Sequence, residues 1–458
     1  MIFTSVIYLI FFIIIYLLYW TTNSLKFKKI VLLLGSLVFY ATWSSKYLVH
    51  FVIILFINFF LYKILLKNKN KILLSSVVIF NLLNLFFFKY FYFFTDIFLY
   101  LSSSNKSSSE LFSFQIIIPL AISFYTFQII SFQVDTYNSK TGNINLQDFL
   151  LFFLFFPQLI AGPILRSENF IPQLTKNTIY DSDKIFQGLV LIFFGICKKV
   201  LIADNISSII NPVWSNPDQY SSITVFMCIN GFSWQVYCDF SGYSDIAIGS
   251  AKLLGYDLIK NFNAPFFSNS FRDLWKNWHI SLSNWLRDYI YFPLGGNQFG
   301  IYKSYIYLMI TFVLGGFWHG AKFTFIIWGL YCGIIVIVER ILENRSIVLI
   351  QYSYLNKIIT YLLFTIGVIF FRAEELNSVP SLIKKFFFLS KNGLNSNNEN
   401  LIYLIFFAFL LQLIDLLDIS KLYYNMKNYT ILIISSLILF IILGNYAGGS
   451  KEFVYFQF

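Results

Sequence analysis

Long apolar runs separated by short polar loops dominate the chain, and this pattern predicts membrane-spanning helices. Several runs reach the roughly 20 residues that a helix needs to cross a bilayer. The first run lacks a small-residue cleavage site at its end, so we interpret it as a helix and not as a signal peptide. About eleven segments are predicted to span: 2–20, 30–43, 48–66, 72–88, 187–203, 221–237, 304–318, 323–341, 355–371, 400–415 and 429–446.

Three further apolar segments, 90–101, 116–134 and 148–165, are interrupted or preceded by Lys, Pro, Gly or Gln. Irregular backbone at membrane depth is stable only where protein or a water-filled cavity satisfies its polar groups. We therefore expect re-entrant helices and a site in the middle of the chain. The predicted fold class is all-α: a polytopic transmembrane helix bundle with interfacial and re-entrant helices, a single membrane domain over 1–458 with a catalytic core at 115–330.

Composition supports a membrane protein and argues against a soluble one. Hydrophobic residues make up 58% of the chain and charged residues 12%, against roughly 45–50% and 25% in soluble domains. The net charge of +11 comes from basic residues in short loops, where they set orientation and contact anionic lipid headgroups. Membrane lipid is therefore the expected partner of these charges, and nucleic acid is not.

The distribution of lysines along the first spans predicts the orientation of the N-terminus. Loops after the first and third spans are rich in lysine, while the second and fourth loops carry one lysine each, so the N-terminus is expected outside the cell. The lysines that decide this are Lys26, Lys28, Lys29, Lys46, Lys63, Lys67, Lys69, Lys71 and Lys106.

Histidine is scarce, and one of the three histidines ends an apolar run. His319 ends the apolar run 305–318 and lies in the string GGFWHG at 315–320, whereas His50 has no polar neighbours and is expected to be structural. An ionisable group at membrane depth is costly and marks a functional site by default. A desolvated, neutral imidazole is suited to act as a general base. The alternative for His319 is a structural hydrogen bond between helices.

The third histidine, His279, lies in an amphipathic, tryptophan-rich segment over 271–289. At helical spacing the apolar residues form one stripe, with the basic residues on the other side, which is typical of a helix that lies in the membrane interface. His279 borders this stripe and could point inward. An interfacial histidine among aromatic residues is the alternative.

A third cluster places carboxylates in an apolar helix. Asp239 and Tyr243 lie one helical turn apart in the string YCDFSGYSD at 237–245, so they could bond to each other or orient a histidine. The strings at 157–166 and 293–297 predict helix breaks or tight turns. The four cysteines show no ligand spacing, so no metal is expected.

Together these strings resemble the membrane-bound O-acyltransferase family, in its bacterial branch that acylates cell-envelope polysaccharides. The likeness extends over essentially the whole chain and is most specific between 239 and 320. The matching strings are FPQLIAGPILR (156–166), DFSGYSDIAIG (239–249), NAPF (263–266), FRDLW (271–275), WHISLS (278–283), GGFWHG (315–320), FFRA (370–373) and FVYFQF (453–458).

This resemblance implies a ring of helices around a central tunnel, with His319 as the catalytic histidine and His279 as the second polar residue. It implies a bacterial cytoplasmic membrane location and acetyl-CoA as acyl donor, with no cofactor bound. It also implies an extracytoplasmic, SGNH-type esterase-like partner that acylates the polysaccharide. Residues expected to line the tunnel or support the site are Asp239, Tyr243, Trp275, Trp278, Ser281, Trp318 and Gly316.

The acceptor is predicted to be peptidoglycan, and two alternatives stay open within the enzyme class: O-acetylation of an alginate-like exopolysaccharide and D-alanyl transfer to teichoic acid. A transporter of envelope precursors is the main alternative of another class. It predicts paired broken helices in two halves, and the sequence contains no internal repeat. A non-catalytic scaffold is the last alternative.

Overall fold

A computed structural model describes residues 1–103, 107–112, 115–160, 162–345, 353–390 and 392–416. In these residues the chain is helical and contains no strand, only an isolated β-bridge between Tyr220 and Leu394. The all-α prediction is therefore confirmed. The predicted span 429–446 and the closing string 453–458 lie outside the described residues. The chain divides into two compact units.

The first unit comprises Met1–Ile185 and Ser250–Leu258. Buried polar side chains in this unit bond to one another, because water is not there to bond to them. Lys29 Nζ lies 2.5 Å from Asp148 Oδ1, and the side-chain amides of Asn58 and Asn81 form hydrogen bonds to each other. Its helices are α1 (Val6–Trp20), α2 (Leu25–Ala41), α3 (Ser45–Lys67), α4 (Lys71–Leu85), α5 (Phe91–Leu101), α6 (Ser108–Leu111), α7 (Ile122–Tyr137), α8 (Leu146–Leu154), α9 (Phe156–Leu159) and α10 (Ser167–Leu174).

The predicted interruption after residue 88 is wrong. Helices α4 and α5 are joined by a π-helical segment, Phe86–Tyr90, into one helix over Lys71–Leu101. Lys89 lies in this segment and donates a hydrogen bond to Ser123 Oγ at 3.3 Å. A lysine therefore interrupts the apolar pattern without ending the helix, because a partner satisfies its ammonium group.

The second unit comprises Phe186–Gly249 and the described part of Ile259–Phe458. It contains two π-helical segments: Cys197–Ala203, which lies within one continuous helix over Ser182–Ser215, and Arg287–Tyr291. The remaining helices are α11 (Ser182–Ile196), α12 (Asp204–Ser215), α13 (Ser222–Leu253), α14 (Phe271–Asn277), α15 (Ile280–Leu286), α16 (Ile301–His319), α17 (Phe323–Asn344), α18 (Ser353–Arg372), α19 (Val379–Phe387) and α20 (Asn398–Leu416); short 3₁₀ turns occur at Pro217–Gln219, Pro265–Phe267 and Leu376–Ser378.

Seven described helices are long and apolar enough to cross a membrane. Many of their large apolar side chains face outward, such as Phe60, Ile306 and Phe406, which suits contact with lipid. The chain is a multi-pass membrane protein. The seven are Ser45–Lys67, Lys71–Leu101, Ser182–Ser215, Ile301–His319, Phe323–Asn344, Ser353–Arg372 and Asn398–Leu416.

Candidate functional site

His319 is the last residue of α16 and lies among aromatic rings. The helix ends there because Gly320 adopts an extended backbone conformation. The imidazole is buried, and its ring centroid lies 5.2 Å from that of Trp328 and 5.1 Å from that of Phe371. These rings exclude water from the imidazole on the sides that they cover.

His279 occupies a break between α14 and α15, which corrects the prediction of one continuous helix over 271–289. Its backbone is left-handed, with φ of 44°, a conformation that costs energy in a residue other than glycine. The break is held by main-chain hydrogen bonds to a neighbouring segment, from Ile280 N to Asn261 O at 2.9 Å and from Asn263 N to Asn277 O at 3.0 Å. Helical spacing does not reveal such a break, because its partners are distant in sequence.

The imidazole of His279 is fully buried and has polar and aromatic neighbours. Its Nδ1 lies 3.2 Å from Asn261 Oδ1, and the edge of Phe240 meets its ring with centroids 4.6 Å apart. Burial lowers the pKa of His279 from its ordinary value to about 3. The ring is therefore neutral at physiological pH, as general-base chemistry requires.

Both histidines line one cavity of about 440 Å³ in the second unit. Trp318 contacts both rings, with its centroid 6.1 Å from that of His279 and 5.0 Å from that of His319. Among the predicted supporting residues, Trp275 and Trp278 also line this cavity. The full lining is Arg272, Trp275, Lys276, Trp278, His279, Leu282, Ser283, Asn284, Leu286, Arg287, Tyr291, Asn297, Leu308, Thr311, Phe312, Gly315, His319, Trp328, Val336 and Arg340.

The cavity is lined by basic residues, three of which pair with carboxylates that are not part of the lining: Arg272 with Glu343, Lys276 with Asp273 and Arg287 with Asp288. Four basic residues, Arg272, Lys276, Arg287 and Arg340, contribute to its described lining, and no carboxylate does. The rest of the lining is mainly apolar and aromatic. A cavity lined by both basic and apolar side chains suits a ligand that has an anionic part and an uncharged reactive part.

Arg340 is the most firmly held of these cations. Its guanidinium donates to Ser304 Oγ at 2.7 Å, to Asn297 Oδ1 at 2.8 Å and to Tyr291 OH at 3.3 Å. All three partners are uncharged, and Arg340 makes no ion pair with the described residues. Asn297 belongs to the predicted tight turn at 293–297, which is confirmed by the left-handed backbone at Gly296, with φ of 54°.

Gly316 packs between helices and does not line the cavity, where its neighbour Gly315 lies. A Cβ at Gly316 would stand 2.3 Å from Phe325 O and 3.1 Å from Gly329 Cα. The residue therefore permits close approach of α16 to α17, as small residues do between membrane helices.

The substitution Gly316→Ala is expected to lower the thermal unfolding midpoint in detergent, because the added methyl group must push α17 away, at a cost of about 1–3 kcal/mol. Gly142→Ala is the matched control, since nothing lies within 4 Å of a Cβ there. Equal midpoints for the two variants would show that α16 and α17 do not depend on this close approach.

Asp239 and Tyr243 belong to a separate buried ionic cluster and do not line the cavity. Lys199 Nζ lies 2.5 Å from Asp239 Oδ1, 2.9 Å from Asp204 Oδ1 and 5.4 Å from the centre of the Tyr243 ring. The neighbouring Lys198 contacts Asp245 and Asp415 at 2.8 and 2.6 Å. Neither lysine was predicted as a site residue, although two adjacent ionisable groups inside the apolar run 187–203 are a usable signal.

Ser281 acts on the site through Asn261 and not directly. Both its main-chain N and its hydroxyl donate to Asn261 Oδ1, at 3.2 and 2.9 Å. Asn261, like Arg340 and Trp328, was not predicted as a site residue. Nothing in its local sequence marks it, because its partners lie about 20 residues further along the chain.

The sequence profile of the membrane-bound O-acyltransferase family matches residues 10–371. The chain belongs to this family. Membership agrees with the resemblance that the motifs predicted, and it shows an acyltransferase. The enzyme class is therefore favoured over the transporter that the sequence left open.

Comparison with individual members shows the branch of the family to which this chain is similar. The chain is 36% identical over 405 residues to a probable alginate O-acetylase of Pseudomonas aeruginosa, covering 84% of this chain and 75% of that protein. It is 36% identical over 396 residues to a peptidoglycan O-acetyltransferase of Helicobacter pylori, covering 78% and 73%. A teichoic acid D-alanyltransferase of Bacillus subtilis is 30% identical over 239 residues, covering 49% and 60%.

Proposed function

We propose that this enzyme takes acetyl groups from a cytoplasmic donor and passes them across the membrane for O-acetylation of a cell-envelope polysaccharide, with peptidoglycan as the first acceptor. The observation that carries the proposal is that His279 and His319 line one cavity together with four basic residues. Such a cavity can hold an anionic thioester by its charged end and keep its carbonyl in a dry region.

The chemistry needs a base and the exclusion of water. An acceptor hydroxyl adds to the thioester carbonyl while His319 accepts its proton; the thiolate then leaves and takes that proton back from the imidazolium, so an ester and a thiol are formed. A positioned base contributes about 10²–10⁴-fold. The aromatic rings around His319 would protect the activated acetyl group from hydrolysis.

Acetyl-CoA is the proposed donor because its phosphates match the basic lining. Arginine pairs with phosphate through two parallel hydrogen bonds, which hold the phosphate in one orientation and also balance its charge. The guanidinium of Arg340 is held by uncharged oxygens and keeps its positive charge available to such a ligand.

The substitution Arg340→Gln is expected to raise the KM for acetyl-CoA by about tenfold or more, since a net hydrogen bond to a charged group contributes about 1.5–3 kcal/mol. The rate at saturating donor should change little. Arg345→Gln is the control, because Arg345 is exposed at the end of α17 and does not line the cavity. An unchanged KM in Arg340→Gln would remove this residue from donor binding.

Similarity supports two acceptors. The relatives named for peptidoglycan and for alginate are equally identical to this chain, so an alginate-like exopolysaccharide is the second candidate. D-alanyl transfer has less support, because the teichoic acid relative matches only 49% of the chain. In either case we propose an extracytoplasmic SGNH-type partner that places the acetyl group on the polymer.

We propose that the protein lies in the bacterial cytoplasmic membrane with its N-terminus outside. The lysine-rich loops after α1 and α3 support this orientation through the positive-inside rule. A cysteine introduced near residue 1 should then react with an impermeant maleimide in intact cells, whereas one placed between Lys67 and Lys71 should not.

Everted membrane vesicles from cells that express the protein provide the direct test. Their cytoplasmic face is outside, so radiolabelled acetyl-CoA is added to the medium and base-labile label is measured in the luminal polysaccharide. Label is expected in vesicles from the native cells, which also supply the proposed extracytoplasmic partner, and not in vesicles from cells that lack this protein. Label from a D-alanyl carrier protein but not from acetyl-CoA would contradict it, and digestion with muramidase or alginate lyase identifies the acceptor.

A further inference from the structure

Three hydrogen-bond contacts converge on one buried oxygen beside His279. Asn261 Oδ1 lies 3.2 Å from Ser281 N, 2.9 Å from Ser281 Oγ and 3.2 Å from His279 Nδ1. All three residues are buried. Of these three residues, His279 lines the cavity, whereas Asn261 and Ser281 do not.

The main-chain contact identifies the atoms. A backbone N–H can only donate, so the Asn261 atom that meets Ser281 N must be the amide oxygen and not the nitrogen. The amide nitrogen of Asn261 then faces Ser244 Oγ at 3.4 Å, where it can donate. The orientation of the amide follows from its partners on both sides.

The amide oxygen of Asn261 also determines which nitrogen of the imidazole carries the proton. Because Asn261 Oδ1 is an acceptor, a hydrogen bond to it requires a proton on His279 Nδ1. In a neutral ring the other nitrogen, Nε2, then carries the lone pair. Burial lowers the pKa of His279 to about 3, so the neutral form is the relevant one.

We propose that Asn261 is a positioning residue that holds His279 in the tautomer with its proton on Nδ1, so that His279 meets the substrate as a hydrogen-bond acceptor through Nε2. This inference rests on the proposed function. In it, His279 orients the acceptor hydroxyl, and a role as a donor to the developing oxyanion is excluded because Nε2 carries no proton.

The backbone reinforces this assignment. Asn261 O accepts from Ile280 N at 2.9 Å, so the same residue that bonds the ring also holds the main chain just after it. The left-handed backbone of His279 is thereby fixed on one side by Asn261. Ring and backbone are positioned together, which is what pre-organisation of a reacting group requires.

Nitrogen NMR on the full-length protein in lipid tests the tautomer directly. The chain contains three histidines, so ¹⁵N-histidine labelling yields three pairs of ring-nitrogen signals, and the pair of His279 is assigned by its loss in His279→Gln. We expect the wild-type His279 spectrum to show Nδ1 protonated and Nε2 unprotonated. The opposite tautomer in the wild-type protein would overturn the inference without any substitution at Asn261.

Substitutions at Asn261 test the consequence for catalysis. Asn261→Leu removes the acceptor and is expected to lower the rate at saturating acetyl-CoA by about 10–100-fold, as removal of an orienting partner does, with little change in KM. Asn261→Asp keeps an acceptor oxygen and should retain most of the rate and the Nδ1-protonated signal. Asn169→Leu is the control, because Asn169 is exposed in α10 and does not line the cavity.

His279→Ala separates failure of this inference from failure of the proposed function. If His279→Ala transfers acetyl at the wild-type rate, the proposed role of His279 itself is wrong. If His279→Ala is inactive while Asn261→Leu keeps both the rate and the tautomer, only the role of Asn261 is wrong.

Discussion

The substitution His319→Ala is expected to lower acetyl transfer in everted vesicles by about 10²–10⁴-fold, the contribution of a positioned general base. The imidazole lines the cavity and lies among aromatic rings, which cannot accept a proton in its place. Binding of acetyl-CoA should persist, because the basic residues of the lining are unchanged. The measurement is base-labile label in the luminal polysaccharide at saturating donor.

His50→Ala is the matched control for His319→Ala. His50 lies in the first unit, where it bonds to Asn84 Oδ1 at 3.0 Å, and it does not line the cavity. Its loss should leave the rate within about twofold of wild type, as is usual for a site outside the chemistry. Wild-type activity in a monodisperse, donor-binding His319→Ala protein would end the proposal that this histidine is the base.

The substitution Lys199→Met is expected to lower the free energy of unfolding by about 3–5 kcal/mol, the cost of removing one partner from a buried ion pair. Lys199 is the shared partner of Asp204 and Asp239, and all three side chains are at most 3% exposed. Without the ammonium group both carboxylates lose their countercharge in a region where water cannot solvate them. Unfolding in mixed micelles with increasing denaturant measures the change.

Two further variants test whether the loss of stability comes from the buried ion pairs of Lys199. Lys184→Met removes the 2.6 Å pair with Asp257, whose side chains are 33% and 50% exposed, and exposed pairs contribute about 0–1 kcal/mol. Lys199→Met combined with Asn at both carboxylates should recover part of the lost stability, because no buried charge is left unpaired. Equal losses in Lys199→Met and Lys184→Met would show that the cluster is not a buried ionic one.

The sequence alone was enough for the fold class and the family. Continuous apolar runs of about 20 residues are expected to be helical in lipid, since a helix satisfies its backbone hydrogen bonds within the segment and needs about that length to cross. The strings at 239–249, 278–283 and 315–320 predicted the family that the profile match then showed. The fold class and the family both depend on local sequence, and no long-range contact is needed to recognise them.

Predictions from the local sequence pattern were wrong where a residue from elsewhere in the chain bonds to a polar group of the segment. Lys89 was expected to interrupt a span, yet the helix continues because Ser123 accepts from it. The segment 271–289 has the periodicity of one helix, yet it breaks at His279 because Asn261 bonds its main chain. Asp239 was linked to Tyr243 and the histidines, whereas its ionic partner is Lys199.

Composition and hydrophobic pattern therefore determined that this chain is a helical membrane protein, and its motifs determined the family of acyltransferases. Tertiary structure decided that His279 and His319 share a cavity, that Arg340 lines it, and that Asn261 holds an imidazole. The reason is physical: burial in lipid is set by the residues of one segment, whereas the geometry of a site depends on side chains that only packing brings together.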